Sequence, residues 1–311
     1  MLEILSITIP FFAIIFCGSL ARIRGWFSED SGRVLARYAF LVVLPPFMFL
    51  AITSIDVKAL FHLGFVVRYE FVTISMFIIA AFFATYVIRL TPQQRGLFCL
   101  NTAYPNYGYI GIPLSLAAFG QDAALPLAFI LLADTIVLLT SSSLFIALSE
   151  QKKSFSELFY NLIRRIISQP LLIAVCLGML FSQLAVSMTP IIDDFLMNVG
   201  GAAAPVALIA LGASITLKFP KSQTLELIII TIGKLILHPV LISFVYIMWP
   251  SEKTVWFQTA ILCASLPVAA NVFVLAGYYG VFKKESANAI VLTTIISTVT
   301  VPLTLYIILN I

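Results

Sequence analysis

The sequence predicts an all-α integral membrane protein with ten transmembrane helices in two inverted five-helix repeats. Three observations predict it: composition, the sidedness of basic residues, and a recurring proline and glycine pattern. The 311 residues are 61% hydrophobic and only 10% charged, with a mean hydropathy of +1.08. A water-soluble domain carries about 25% charged residues. A helix needs about 20 apolar residues to cross the hydrocarbon core, so ten spans take about 200 to 230 residues and leave only short connections. No soluble nucleotide-binding module fits, and neither GxxxxGK[ST] nor GxGxxG occurs, which argues against an ATP-driven pump.

Apolar runs between charged or Pro/Gly-containing breaks place spans at 4–21, 31–54, 63–88, 96–119, 124–148, 165–186, 197–217, 224–248, 255–281 and 286–309. Glu3 precedes the first span, and Arg22 and Arg24 follow it, which argues against a cleaved signal peptide and for an outward N-terminus. Alternating sides from there puts both termini outside. Arg22, Arg24, Arg33, Arg37, Arg89, Arg95, Lys152, Lys153, Arg164, Arg165, Lys218, Lys221, Lys283 and Lys284 then fall inside, fourteen of the 18 Lys and Arg. Lys58 and Lys253 fall outside, and Arg68 and Lys234 lie within spans. This asymmetry is what the positive-inside rule demands and also supports the count of spans. In a bacterium the membrane would be the plasma (inner) membrane.

The longest polar connection, near 149–164, divides the chain. Pro10 and Pro170, Gly18 and Gly178, Pro45 and Pro205, and Gly120 and Gly280 are each 160 residues apart. The reading is therefore a first five-helix repeat over 1–150, a cytoplasmic central loop over 151–164, and a second repeat over 165–311. An odd number of spans per copy inverts the second copy, an arrangement common among secondary transporters.

Clustered Pro and Gly at mid-membrane depth point to discontinuous helices lining a cavity. Span four carries Asn101, Pro105, Asn106, Gly108, Gly111 and Pro113; span nine carries Ser265, Pro267 and Asn271, with Gly277 and Gly280 near its end. If both unwind and cross, half-helix N-termini offer N–H groups to an anion, and the Asn amides add donors and acceptors. Pro-kinked helices with packed Asn residues are the alternative.

Charges inside spans are functional candidates by default. Asp134 lies ten residues into span five. Lys234 is about as deep in span eight, four residues before His238-Pro239. A structural ion pair would explain both; otherwise Asp134 exchanges a proton, while Lys234 attracts an anionic substrate or stands in for a cation. Arg68 and Glu70, near the outer end of span three, fit snorkelling to the interface. Cys17, Cys99, Cys176 and Cys263 have no CxxC pairing and read as small hydrophobes. Asp193 and Asp194 read as solvated charges, His62 and His238 are the only histidines, and no HExxH or GxSxG motif occurs. Neither a metal site nor an enzyme is expected.

The stretch Tyr104–Gly120, YPNYGYIGIPLSLAAFG, resembles the fourth span of the auxin efflux carrier family, and Ala264–Gly280, ASLPVAANVFVLAGYYG, resembles its ninth. Gly18, the basic loop ending in Phe27-Ser28, and Leu44-Pro45 fit the same pattern. The short central loop is similar to that of bacterial and archaeal members, including malonate and malate permeases, rather than to the long-looped PIN-type carriers. The resemblance implies crossed helices four and nine, as in bile-acid symporter and sodium/proton antiporter folds. It also implies elevator-type alternating access for a carboxylate such as auxin, malonate, malate or oxalate. Pro105 and Asn106 match the family's crossover Pro and carboxylate-binding Asn, and Pro267 matches the second crossover Pro. Asn271 and Val268 depart from the PIN-type pattern, where proline and a polar residue are usual, and Glu70 lies near the family's acidic position in span three.

The combined expectation is a secondary transporter of a small organic anion. Asn106, Asn271, Pro105, Pro267, Tyr107, Gly108 and Lys234 would form the substrate site, and Asp134 and Glu70 would couple transport to protons or respond to the membrane potential. No cofactor or nucleic-acid partner is implied; the partners are the carboxylate and the bilayer, with a homodimer left open. The alternatives are a sodium-coupled symporter of the bile-acid type, using oxygens of Asn101, Thr102, Asn106, Ser265 and Asn271, and a receptor that keeps the fold without transport.

Overall fold

The computed structural model describes residues 2–54, 63–149, 160, 163–164, 168–215, 224–249 and 254–310. Most of the central connection lies outside the described residues, with Lys152, Lys153 and Arg165; so do Lys58, His62, Lys218, Lys221 and Lys253. Among the described residues the longer helices are α1 (Leu2–Ile23), α2 (Glu29–Tyr38), α3 (Leu44–Thr53), α4 (Leu63–Phe82), α5 (Pro92–Ala103), α6 (Ile112–Phe119), α7 (Ala124–Ser149) and α8 (Pro170–Gln183). They continue as α9 (Pro190–Gly201), α10 (Ala203–Ala213), α11 (Thr224–Ile232), α12 (His238–Met248), α13 (Thr254–Ser265), α14 (Asn271–Tyr279) and α15 (Lys283–Leu309).

Among the described residues seven stretches are long and apolar enough to cross a bilayer: Ile4–Ile23, Asp30–Thr53, Leu63–Val87, Gln121–Ser142, Pro190–Ala213, Thr224–Met248 and Lys283–Leu309. The protein is thus a multi-pass membrane protein. Expected spans four, six and nine contain the shorter apolar helices Tyr107–Phe119, Pro170–Gln183 and Thr254–Ser265. Spans four and nine fall short because each is interrupted at a proline, and part of span six, residues 165–167, lies outside the described residues.

The chain folds into two compact units. The first comprises Met1–Leu63, Tyr107–Phe129 and Ile167–Ile215. Within it α1 packs on α10 and α8 packs on α3, both at glycine. A methyl group on Gly18 or Gly212 would collide with the carbonyl oxygen of Ile209 or Ile15, respectively. Ser19 adds a hydrogen bond to the Gly212 carbonyl at 3.0 Å. On α8, a Cβ at Gly178 would stand 3.1 Å from both the Phe49 carbonyl and Ile52 Cβ. Glycine here substitutes close backbone approach for side-chain burial, the usual glue between helices in a membrane. The two contacts correspond at the 160-residue spacing: Gly18 meets Ile209, and Gly178 meets Phe49.

The second unit comprises Gly64–Asn106, Ile130–Ile166 and Thr216–Ile311. It holds α4, α5, α11 to α15 and all but the start of α7. Polar contacts tie α5 into it. The Asn101 amide donates to Ser286 Oγ at 2.8 Å, and Ser142 donates to the Gly96 carbonyl at 3.3 Å. A π-helical turn, Gly233–Leu237, precedes α12. It arises just before Pro239, which has no N–H to give to a regular helix. A Cβ on Gly233 would lie 2.7 Å from Thr102 Cγ2, so α5 packs directly on this turn. Arg68 does more than snorkel: it donates to the Trp249 carbonyl at the end of α12 at 2.7 Å and lies 5.2 Å from the Tyr246 ring centroid. Cys99 and Cys263 are buried, whereas Cys17 and Cys176 lie on the outer surface of the helices. Asp193 and Asp194 sit near the start of α9, where carboxylates suit the helix dipole.

Candidate functional site

The centre of the second unit is a pair of interrupted helices. Pro105 disfavours helical geometry at Tyr104, whose backbone is extended (φ −90°, ψ 110°), and α5 ends at Ala103. Pro267 acts in the same way on Leu266, and α13 ends at Ser265. The two extended segments lie antiparallel, with Pro105 opposite Val268. Asn106 donates its N–H to the Pro267 carbonyl at 2.9 Å, and Ala269 donates to the Tyr104 carbonyl at 3.1 Å. The Val268 N–H is taken by Thr293 Oγ1 of α15 at 3.1 Å. Backbone groups exposed by the breaks therefore find partners without water, as membrane depth requires.

Around this crossing stand Asn106, 2% exposed, and Asn271, which opens α14. Asn271 hydrogen-bonds the Tyr104 hydroxyl, while its carboxamide oxygen has no protein partner. The Tyr104 hydroxyl also lies 3.4 Å from Thr135 Oγ1, next in sequence to Asp134.

A second, charged cluster adjoins it. Glu70 of α4, Asp134 of α7, and Lys234 and His238 of the π-turn and α12 are all buried. Glu70 and Asp134 act on each other electrostatically, both Glu70 carboxyl oxygens being buried without a hydrogen-bond partner, and Asp134 acts likewise on Lys234 and on Tyr104. Lys234 Nζ donates to the Ala264 carbonyl, at the broken end of α13, at 2.7 Å. It also lies 3.1 Å from His238 Nδ1, and His238 Nε2 lies 3.4 Å from Thr73 Oγ1. A cation at the C-terminal end of a helix opposes the negative end of its dipole.

The structure brings together Pro105, Asn106, Pro267 and Asn271, and separately joins Glu70, Asp134 and Lys234. Tyr107 and Gly108 open a π-turn, Tyr107–Gly111, that is counted with the first unit. There a Cβ on Gly108 would stand 3.1 Å from the Phe40 ring. Sequence reasoning missed Tyr104, Thr73, Thr135 and Thr293. It named His238 without giving it a role, although its position four residues after Lys234 places both on one helix face. Among the described residues no group of His, Cys, Asp and Glu could hold a metal ion.

A family model described as membrane transport protein matches residues 4–305. The chain belongs to this family, that of the auxin efflux carriers. A relative in Rhizobium meliloti (strain 1021) named "Putative malonate transporter" is 30% identical over 310 residues, covering 99% of this carrier and 97% of the relative. A protein of Methanothermobacter thermautotrophicus named "Uncharacterized transporter" is 23% identical over 298 residues, 93% of each chain. The carrier's relatives are thus named as transporters and not as enzymes.

Proposed function

We propose that this carrier is a secondary transporter of a small organic anion, a malonate-like dicarboxylate or an auxin-like monocarboxylate, bound at the crossing of the two interrupted helices. The observation that carries the reading is the pairing of residues 104–106 with 267–269, which keeps two asparagines and the start of α14 together at one buried point. Asn106 and Asn271 contact the carboxylate at the positive end of the α14 dipole, and the vacant Asn271 oxygen accepts from a hydroxyl or from a protonated acid. The relative named for malonate favours a dicarboxylate.

Alternating access in this reading is elevator-like, with ten spans in two inverted repeats, 1–150 and 165–311, and both termini outside in a bacterial inner membrane. The reciprocal glycine contacts, Gly18 with Ile209 and Gly178 with Phe49, support that pairing of repeats, as do the matching positive-φ caps at Gly120 and Gly280. Coupling is to protons through Asp134 and Glu70. Sodium is disfavoured because the Lys234 ammonium occupies the broken end of α13, where a coupling cation would bring its charge.

Uptake of labelled malonate and of a monocarboxylate into proteoliposomes tests the reading. An inward proton gradient should accelerate uptake, a sodium gradient should not, and Asp134→Asn should abolish the response to pH. Asn106→Ala should lower uptake at least tenfold; unchanged uptake of every transported anion in that variant would remove the substrate site from the crossing.

A further inference from the structure

His238 is buried beside the site and has no part in the function proposed above. Its surroundings constrain its protons. An ammonium has three N–H donors and no lone pair, so a charged Lys234 interacts with the ring nitrogen 3.1 Å away only if that nitrogen accepts. Nδ1 must then be unprotonated, which places the single ring proton of a neutral imidazole on Nε2. That proton points to Thr73 Oγ1, 3.4 Å away. The remaining neighbours agree with this assignment: the Tyr69 ring packs at 6.1 Å between centroids, and the nearest charge is Lys234 itself, with Asp134 beyond it. An imidazolium would aim an N–H at the ammonium and add a second positive charge.

We infer that His238 is a positioning residue that holds the Lys234 ammonium on the Ala264 carbonyl through Nδ1, as a neutral imidazole in the Nε2–H tautomer. Lys234 has four rotatable side-chain bonds, and the Ala264 carbonyl alone fixes only one of its three donors. The His238 acceptor fixes a second, leaving the third for the side of Asp134. His238 thereby decides where the fixed positive charge of the cluster stands without itself titrating during transport. The inference deepens the proposed function and rests on it only for its effect on uptake, since the arrangement of protons is observable in the resting protein.

Nitrogen NMR of protein labelled at histidine reads the tautomer directly, and His62→Gln leaves His238 as the single histidine. The expected spectrum shows an unprotonated Nδ1 and a protonated Nε2, unchanged between pH 6 and pH 8, with the Nδ1 resonance shifting in Lys234→Met. A protonated Nδ1, or a ring that titrates in that range, would overturn the inference whether or not the protein transports malonate. The companion test uses amides that imitate one ring nitrogen each. His238→Asn keeps an acceptor at the Nδ1 position and should retain uptake within about threefold of the parent, with the same pH profile, whereas His238→Gln and His238→Leu should lose at least tenfold in maximal rate. Equal uptake in all three variants would refute a positioning role. Loss in all three, with the expected tautomer intact in the parent, would refute the Nδ1-specific part.

Discussion

Lys234 and Asp134 offer a direct measure of how much the charged cluster holds the second unit together. Lys234→Met replaces the ammonium with an apolar side chain of similar reach and leaves two buried acceptors without a donor, the Ala264 carbonyl and His238 Nδ1. Each orphaned acceptor costs about 1–3 kcal/mol. Removing one member of a buried charge pair costs about 3–5 kcal/mol, because the partner charge stays behind. We therefore expect Lys234→Met to destabilise the protein by about 3–5 kcal/mol. Asp134→Asn removes the carboxylate that acts on Lys234 while preserving its shape. In the double variant neither charge of the pair is stranded, so its loss of stability should be smaller than the sum of the two single losses by about 0.5–3 kcal/mol, the usual size of coupling between neighbours. Reversible unfolding of purified protein by dodecyl sulfate in mixed micelles gives all four values. Additivity within about 0.5 kcal/mol would refute the coupling and, with it, the view that the cluster acts as one charged unit.

The glycines supply two further expectations. Gly212→Ala should destabilise by about 1–3 kcal/mol or more, because its methyl meets the Ile15 carbonyl; Gly64→Ala, with nothing within 4 Å of the added carbon, should be neutral or gain up to about 1 kcal/mol, and thermal melts of the two should separate clearly. Gly120 has φ 69° and ψ −164°, a region that excludes other residues, whereas Gly280 has φ 70° and ψ 12°, which asparagine tolerates. Gly120→Asn should therefore lower stability by about 1–3 kcal/mol and Gly280→Asn by well under 1; equal effects would show that the caps do not govern these ends.

Much of this architecture was legible in the residues because membrane depth punishes exceptions. Pro105 and Pro267 announced breaks, since a proline in a lipid-embedded helix strands a carbonyl that something else must satisfy. Asp134 and Lys234 stood out because so few charges lie within spans, and the structure buries both in one cluster. What the sequence hid is the pairing. No local rule says that the Asn106 amide will find the Pro267 carbonyl, or that Lys234 will reach the end of α13 thirty residues later. Tyr104 and Thr73 look like ordinary span residues until the fold sets one hydroxyl beside the Asn271 amide and the other beside an imidazole. Arg68 read as a snorkelling charge, and only the fold reveals the carbonyl that it caps.

The antiparallel meeting of the two breaks has a consequence for how such a site is inherited. Each interruption supplies the missing partner of the other: the Asn106 amide needs the Pro267 carbonyl, and the Ala269 amide needs the Tyr104 carbonyl. Restoring a continuous helix at either position would abandon polar groups at the other. The two halves of the sequence cannot drift apart here one step at a time. A lineage keeps both interruptions or loses both, which ties residues more than 160 positions apart into a single unit of evolutionary change.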